Sequence, residues 1–297
     1  MTAAMFRSFV RSLVMIVALV APDVCRSADN PTLRPIQEGV WALPLLHPTI
    51  AYVVRPVGNG PFPLAVMNHG VSLNPVDRSF FPLVEFRDAA MWFARRGYMV
   101  VAPTGSGYGA AALDVPDRGL FTVFYSKIGS CSNPNFHDAG MAVALIDQSI
   151  IDYLTDQKLA VPNSAIVIGQ SAGGWAAIAL SSLNLPSVKA IVVFAAGRGG
   201  RVDGKPNNNC APDKLVEATA DFGHTARVPM LWIYIQNDTY FGPDLSRRMH
   251  AAYTGAGGSA EYHLMPPFGN EGHIFIDSPD SIPQWSPLVS QFLDKHR

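Results

Sequence analysis

The chain has 297 residues, 48% of them apolar and 15% charged, and its formal net charge is −1. That length carries one sizeable core, and the near-neutral balance excludes a nucleic-acid surface built on clustered basic residues. The abundance of apolar residues excludes an intrinsically disordered chain.

Arg7 and Arg11 give a positively charged start, and residues 13–21 (LVMIVALVA) give an apolar run too short for a stable membrane span. This pattern predicts an export signal ending near residue 28. It would leave an exported domain, periplasmic or secreted, over residues 29–297, with no stable span. The alternative is an uncleaved N-terminal anchor. Cys25, in PDVC, lacks the small neighbours of a lipoprotein site. Loss of the leader leaves Cys131 and Cys210, an even pair compatible with one disulfide or with two separate buried thiols. Neither sits in a CxxC or a His/Cys cluster, so no metal site is expected.

Beyond the leader, strand-like runs alternate with helix-like periods. Residues 40–46 and 50–56 read as opening strands, and 64–68 (LAVMN) as a buried strand ending at His69-Gly70. Residues 85–96 have helical spacing, with Phe86, Ala89, Ala90 and Phe93 on one face and Gly97 as the stop. A strand over 98–102 leads into Gly105-Ser106-Gly107-Tyr108-Gly109, which reads as a flexible loop. A long amphipathic helix follows over 137–157, a strand over 165–168 and a small-residue helix over 172–183. Strands over 188–194, 230–235 and 261–264 and helices over 244–253 and 284–296 complete the series. Alternation of this kind predicts βαβ units and a mostly parallel sheet with helices on both faces. Sites in such sheets gather at the carboxyl ends of strands.

One strand end carries Gly169-Gln170-Ser171-Ala172-Gly173, a G-x-S-x-G with a strand before it and a helix after. This is the context of a nucleophile elbow, in which a strained turn lifts the serine hydroxyl out of the sheet. A phosphate loop would need a G-K-[ST] ending, and a dinucleotide turn a G-x-G-x-x-G spacing. Neither is present here. A serine hydroxyl needs a base to take its proton, and an imidazole base is oriented by a carboxylate. In this context the chain order is serine, acid, histidine. Asp238 follows the strand at 230–235, and His273 follows the next one. Asp221 and Asp244 do not end strands. His263 falls within a strand and His250 within a helix, while His224 and His296 sit in a loop and at the terminus. Glu271 reads as a loop charge. Backbone amides of Val71 and Ala172 are the expected oxyanion donors, with Ser72 the next choice for the first. His69 reads as a residue shaping that loop.

These residues together resemble the α/β-hydrolase superfamily, and within it the dienelactone-hydrolase-like and platelet-activating-factor-acetylhydrolase-like serine esterases. The resemblance is carried by RPVGNGPFPLAVMNHG, FARRGYMVVAP, GQSAGG, IYIQNDTYFGP and GNEGH. It implies an α/β-hydrolase fold and no cofactor. Dienelactone hydrolases proper use a cysteine nucleophile, whereas Ser171 stands here, which favours ordinary ester hydrolysis through an acyl-enzyme. The resemblance also implies a cap between the sixth and seventh strands, here residues 198–228. That segment would form one pocket wall, pinned by a Cys131–Cys210 bridge. Arg198 and Arg201 are then candidates for binding an anionic group of a small-molecule ester, or are solvated loop charges. The alternatives to an esterase are a peptidase or amidase of the same fold, and a non-catalytic binding protein built on it.

Overall fold

The computed structural model describes residues 34–72, 74–112 and 128–296. The leader expected over residues 1–28, Cys25 included, lies outside the described residues. Two strands open the fold as an antiparallel pair, β1 (Ile36–Leu43) and β2 (Thr49–Pro56). Then come β3 (Leu64–Asn68), the one-turn helix α1 (Pro75–Ser79), α2 (Arg87–Arg95) and β4 (Met99–Pro103). A tight hairpin, β5 (Gly129–Ser130) with β6 (Asn133–Pro134), holds Cys131 at its turn. It leads into α3 (Phe136–Asp156), β7 (Ala165–Gln170), α4 (Ala172–Ser181) and β8 (Val188–Phe194). The chain closes with α5 (Pro212–Thr225), β9 (Met230–Ile235), α6 (Pro243–Gly255), β10 (Ala260–Met265) and α7 (Ile282–Lys295).

Eight of these strands form one sheet in the order β1-β2-β4-β3-β7-β8-β9-β10, parallel from β4 onward. The central strands β3, β4, β7 and β9 are buried along their whole length because both sheet faces are covered. On one face lie α2 and α7, where Phe93, Trp92 and Trp285 pack against Ile168, Val192 and Phe194. Trp92 meets Trp285 edge to face at 4.9 Å. Helices α3, α4, α5 and α6 cover the other face with Ile150, Trp175, Phe222 and Tyr253. Each such side chain contributes about 1.5–3 kcal/mol by leaving water.

Local chemistry places the helix ends. Gly97, at φ +100°, takes the left-handed backbone that ends α2, as its sequence position predicts. Asn135 caps α3 by accepting from the Asp138 amide at 3.0 Å. Pro212 and Pro243 open α5 and α6 in the first turn, where a missing N–H costs nothing. Within residues 198–228 the structure thus holds a 14-residue helix, α5, behind a loop. Its buried positions, Leu215, Thr219, Phe222 and Gly223, have helical spacing.

Parallel pairing aligns the carboxyl ends of the strands. Asn68 pairs with Gly169, Gln170 with Phe194, and Phe194 with Ile233. The loops that follow β3, β7, β8, β9 and β10 therefore leave from one crest of the sheet, and every strand-end residue singled out in the sequence lies on it.

Candidate active site

Ser171 sits between β7 and α4 at φ 53° and ψ −118°, a backbone conformation that L-residues rarely adopt. The turn is held from both sides. The Ser171 amide donates to Phe194 O at 3.0 Å, and its carbonyl accepts from Gly197 N at 3.0 Å and Trp175 N at 2.9 Å. Two residues to either side of it, there is room only for glycine. A Cβ on Gly169 would stand 2.3 Å from Gly173 O, and one on Gly173 would stand 2.3 Å from Asn68 O. The serine is 8% exposed. Its hydroxyl makes no capping bond to α4, and the residue lines a cleft.

Asp238 and His273 are brought together from separate strand ends. His273 Nδ1 lies 3.2 Å from Asp238 Oδ2, and both residues are buried. The other carboxylate oxygen, Oδ1, accepts from the Tyr240 amide at 2.7 Å and the Phe241 amide at 3.0 Å. Those two bonds fix the carboxylate plane and leave Oδ2 for the imidazole. The Tyr240 ring stacks on the imidazole at 4.0 Å and 16°. Phe241 lies 5.6 Å from it. Gln170, the residue before the serine, donates from Nε2 to His273 O at 2.9 Å and ties the histidine loop to the elbow. Nothing in the sequence distinguishes Gln170 for this task.

The loop after β3 abuts the serine, since a Cβ on Gly70 would lie 3.0 Å from Ser171 Cβ. Within that loop the Ser72 amide is taken up by Tyr108 Oη at 3.0 Å. The Val71 amide makes no hydrogen bond among the described residues. Ala172 is the first residue of α4, where an amide has no partner inside its helix. Val71 and Ala172 thus keep their N–H groups uncommitted beside Ser171, and Ser72 does not.

His69 braces this loop. Its Nδ1 bonds Gly70 O at 2.6 Å, and its Nε2 accepts from the Gly105 amide at 2.9 Å. Burial pushes its pKa down to about 4, against a smaller upward pull from the Gly70 carbonyl, so the ring is neutral with the proton on Nδ1. Phe81 and Tyr108 pack on it. The Gly105–Gly109 run, expected as a flexible loop, is packed instead: Ser106 and Tyr108 are buried, and Ser106 Oγ bonds His47 Nε2. Gly109 is packed closely, since a Cβ there would stand 2.5 Å from Phe81 O.

A cleft of about 1010 Å³ opens over Ser171. Val71 and Ser72 line one side, Tyr240 and Phe241 another, and Arg198 to Gly204 the wall that follows β8. Cys131 and Cys210 also line it and are joined by a disulfide across a sequence separation of 79. Arg198 is buried, and Arg201 pairs with Glu271 at 3.6 Å. The remaining histidine candidates sit in other elements. His250 bonds Ala260 O at 3.0 Å, His263 lies in β10, and His224 is in the last turn of α5. Among the described residues, no helix is long and apolar enough to cross a membrane, and no group of three His, Cys, Asp or Glu is placed to hold a metal ion.

A mostly parallel sheet crossed by a strand–serine–helix elbow defines a chain with the α/β-hydrolase fold, and solved structures agree. No family model and no curated protein matches the sequence. A Klebsiella pneumoniae protein assigned as a dienelactone hydrolase is 17% identical, with a TM-score of 0.60 over 87% of this chain and 99% of that one. An acetyl xylan esterase from Paenibacillus sp. R4 is 16% identical, with a TM-score of 0.58 over 91% of each chain. The Pyrococcus horikoshii acylaminoacyl peptidase is 14% identical, with a TM-score of 0.58 over 89% of this chain and 42% of that one.

Proposed function

We propose that this protein is an exported serine hydrolase that cleaves small-molecule carboxylic esters through an acyl-enzyme. Ser171 attacks the ester carbonyl while His273 takes its proton, and the alkoxide leaves with that proton returned by His273. A water molecule, deprotonated by the same imidazole, then releases the acid. Asp238 holds the ring in the tautomer that leaves Nε2 free to act as base. The Val71 and Ala172 amides hold the oxyanion, and losing one such donor costs roughly 3–4 kcal/mol in activation free energy. The reading is carried by a buried imidazole–carboxylate pair at the same sheet crest as a strained, glycine-flanked serine.

The ester, rather than the amide, is favoured by the length of the similar structures. Those spanned almost entirely are a dienelactone hydrolase and an esterase, while the peptidase is matched over less than half of its chain. Within the 198–228 segment of a single domain over 29–297, residues 198–204 and Cys210 form the substrate-facing wall, and Arg198 and Arg201 both line it. The apolar leader and the Cys131–Cys210 bridge support an oxidising, extracytoplasmic compartment.

The test is a p-nitrophenyl acyl series beside an aminoacyl anilide series, offered to the wild type and to Ser171→Ala. Ester turnover that disappears with the serine, with fluorophosphonate labelling of Ser171, is the expected result. Preference for the anilides would make the protein an amidase. Absence of both turnover and labelling would leave a binding protein and refute the proposal.

A further inference from the structure

Glu271 does more than carry a loop charge. Its Oε1 accepts from the Thr239 amide at 3.0 Å and from the His273 amide at 3.0 Å. Its Oε2 accepts from Thr239 Oγ1 and pairs with Arg201 Nη1 at 3.6 Å. One carboxylate thus ties the turn bearing Asp238 to the turn bearing His273. Arg201 closes a ring of contacts. Its guanidinium lies 5.2 Å over the Tyr240 ring, which stacks on the His273 imidazole. The acid turn, the histidine turn and the cleft wall after β8 therefore meet at Glu271.

We infer that Glu271 is a positioning residue that sets the approach of His273 to Asp238. The inference rests on the proposed roles of Ser171, His273 and Asp238. The two turns come from different strands and are tied at two places. Asn237, before Asp238, accepts from the Gly272 amide at 3.3 Å and bonds Phe268 and Gly269 through its side chain. Glu271 Oε1 adds the tie that holds the Thr239 and His273 amides themselves, the residues next to the carboxylate and at the imidazole. Charge-assisted bonds of this kind are short and directional. Arg201 neutralises the carboxylate and is itself anchored by Nη2 donating to Gly204 O at 3.0 Å. A plain helix cap at 271 would act on stability alone, whereas a positioning group acts on kcat with little change in KM.

The experiment compares Glu271→Ala and Glu271→Gln with the wild-type full chain. Glutamine keeps an Oε1 that accepts from both amides and loses the charge that Arg201 meets, while alanine loses both. The alanine variant is expected to lose about 100-fold in kcat, the scale of a misplacement of about 1 Å at the reacting groups. KM is expected to stay within about threefold, as for a group that acts only in the transition state. Glutamine is expected to restore most of kcat. In parallel, the downfield proton resonance of His273 Nδ1–H, assigned by its disappearance in Asp238→Ala, is expected to survive in the glutamine variant and vanish in the alanine variant. Should Glu271→Ala fail to fold, Glu271→Asp takes its place, because the shorter side chain does not span both amides. An alanine variant with wild-type kcat and an intact downfield resonance overturns the inference. If the wild type turns over no ester and Ser171 takes no fluorophosphonate, the proposed function fails. The resonance alone then decides the role of Glu271, its survival in the alanine variant overturning the inference and its loss supporting it.

Discussion

Replacing Asp147 with asparagine is expected to make the protein more stable, and increasingly so as pH rises. Asp147 lies on α3 with no exposed surface. Its Oδ2 accepts from Asn68 Nδ2 at 2.6 Å, and its Oδ1 has no partner among the described residues. Burial pushes its pKa up to about 8 from the ordinary carboxylate value of about 3.8, against a smaller downward pull from Asn68. The sign follows from proton counting. Between those two values the folded protein keeps a proton that the unfolded chain has lost, so stability falls as pH rises through the window. The slope is at most about 1.4 kcal/mol per pH unit, and across the whole window the loss is on the order of 5 kcal/mol. Asparagine carries no ionisable proton, keeps an oxygen for Asn68 and removes this slope. Urea denaturation of both proteins at about pH 5 and about pH 8 measures it, since other titrating groups cancel in the difference. The gap between the two free energies is expected to widen by about 2 kcal/mol or more at the higher pH. Parallel curves would refute the argument and show that the folded protein carries Asp147 as a carboxylate throughout.

Gly173→Ala places its methyl 2.3 Å from Asn68 O and 2.5 Å from Asn68 C, so the backbone of the elbow must shift. The expected outcome is a loss of about 1–3 kcal/mol in stability and of about 100-fold or more in kcat. Gly255→Ala, where nothing lies within 4 Å of the added Cβ, is the matched control and leaves turnover unchanged. Reduction of the Cys131–Cys210 bridge, or the double serine variant, is expected to lower stability by about 2–4 kcal/mol. Because both cysteines line the cleft over Ser171, KM is expected to rise while the rate of fluorophosphonate labelling changes little.

The strands were legible because a sheet covered on both faces needs continuous apolar runs, and LAVMN, AIVIGQ and MLWIYI supply them. Ser171 was legible for a related reason: a strained turn at a strand end tolerates little but glycine beside it, and glycines are visible in a sequence. Asp238 and His273 were legible as strand-end residues in the right order, although their pairing rests on the parallel register of β9 and β10. What stayed hidden depends on contacts between distant segments. Gln170 reaches the His273 carbonyl, and Glu271 reaches Thr239, through bonds that no local pattern announces. Helix α5 escaped notice because residues 198–228 are polar overall, although Pro212 in the first turn and the spacing of Leu215, Thr219 and Phe222 mark an amphipathic helix. The glycines at 105–109 point toward mobility when read alone, and toward close packing once His69 is seen to need the Gly105 amide.

The cleft wall after β8 is shaped by the same logic as the elbow. Ala195, Arg201 and Ala211 all adopt positive φ, at 47°, 53° and 41°, and none of them is a glycine. Each such residue costs on the order of 1–3 kcal/mol and persists only where its surroundings dictate the backbone. The surroundings here are specific. The Ala195 amide donates to Ile233 O at 2.9 Å, the Cys210 amide to Gly199 O at 2.8 Å, and the Asn207 amide to Thr239 O at 2.7 Å. Asn209 Nδ2 adds a bond to Tyr240 O at 2.5 Å, and the disulfide fixes the far end. Two of these bonds land on Thr239 and Tyr240, the residues that follow Asp238. The wall is therefore anchored on the turn that orients the carboxylate, and a change that loosens the wall reaches the imidazole through that turn. The shape of the cleft and the placement of the His273 imidazole are built on one set of backbone contacts.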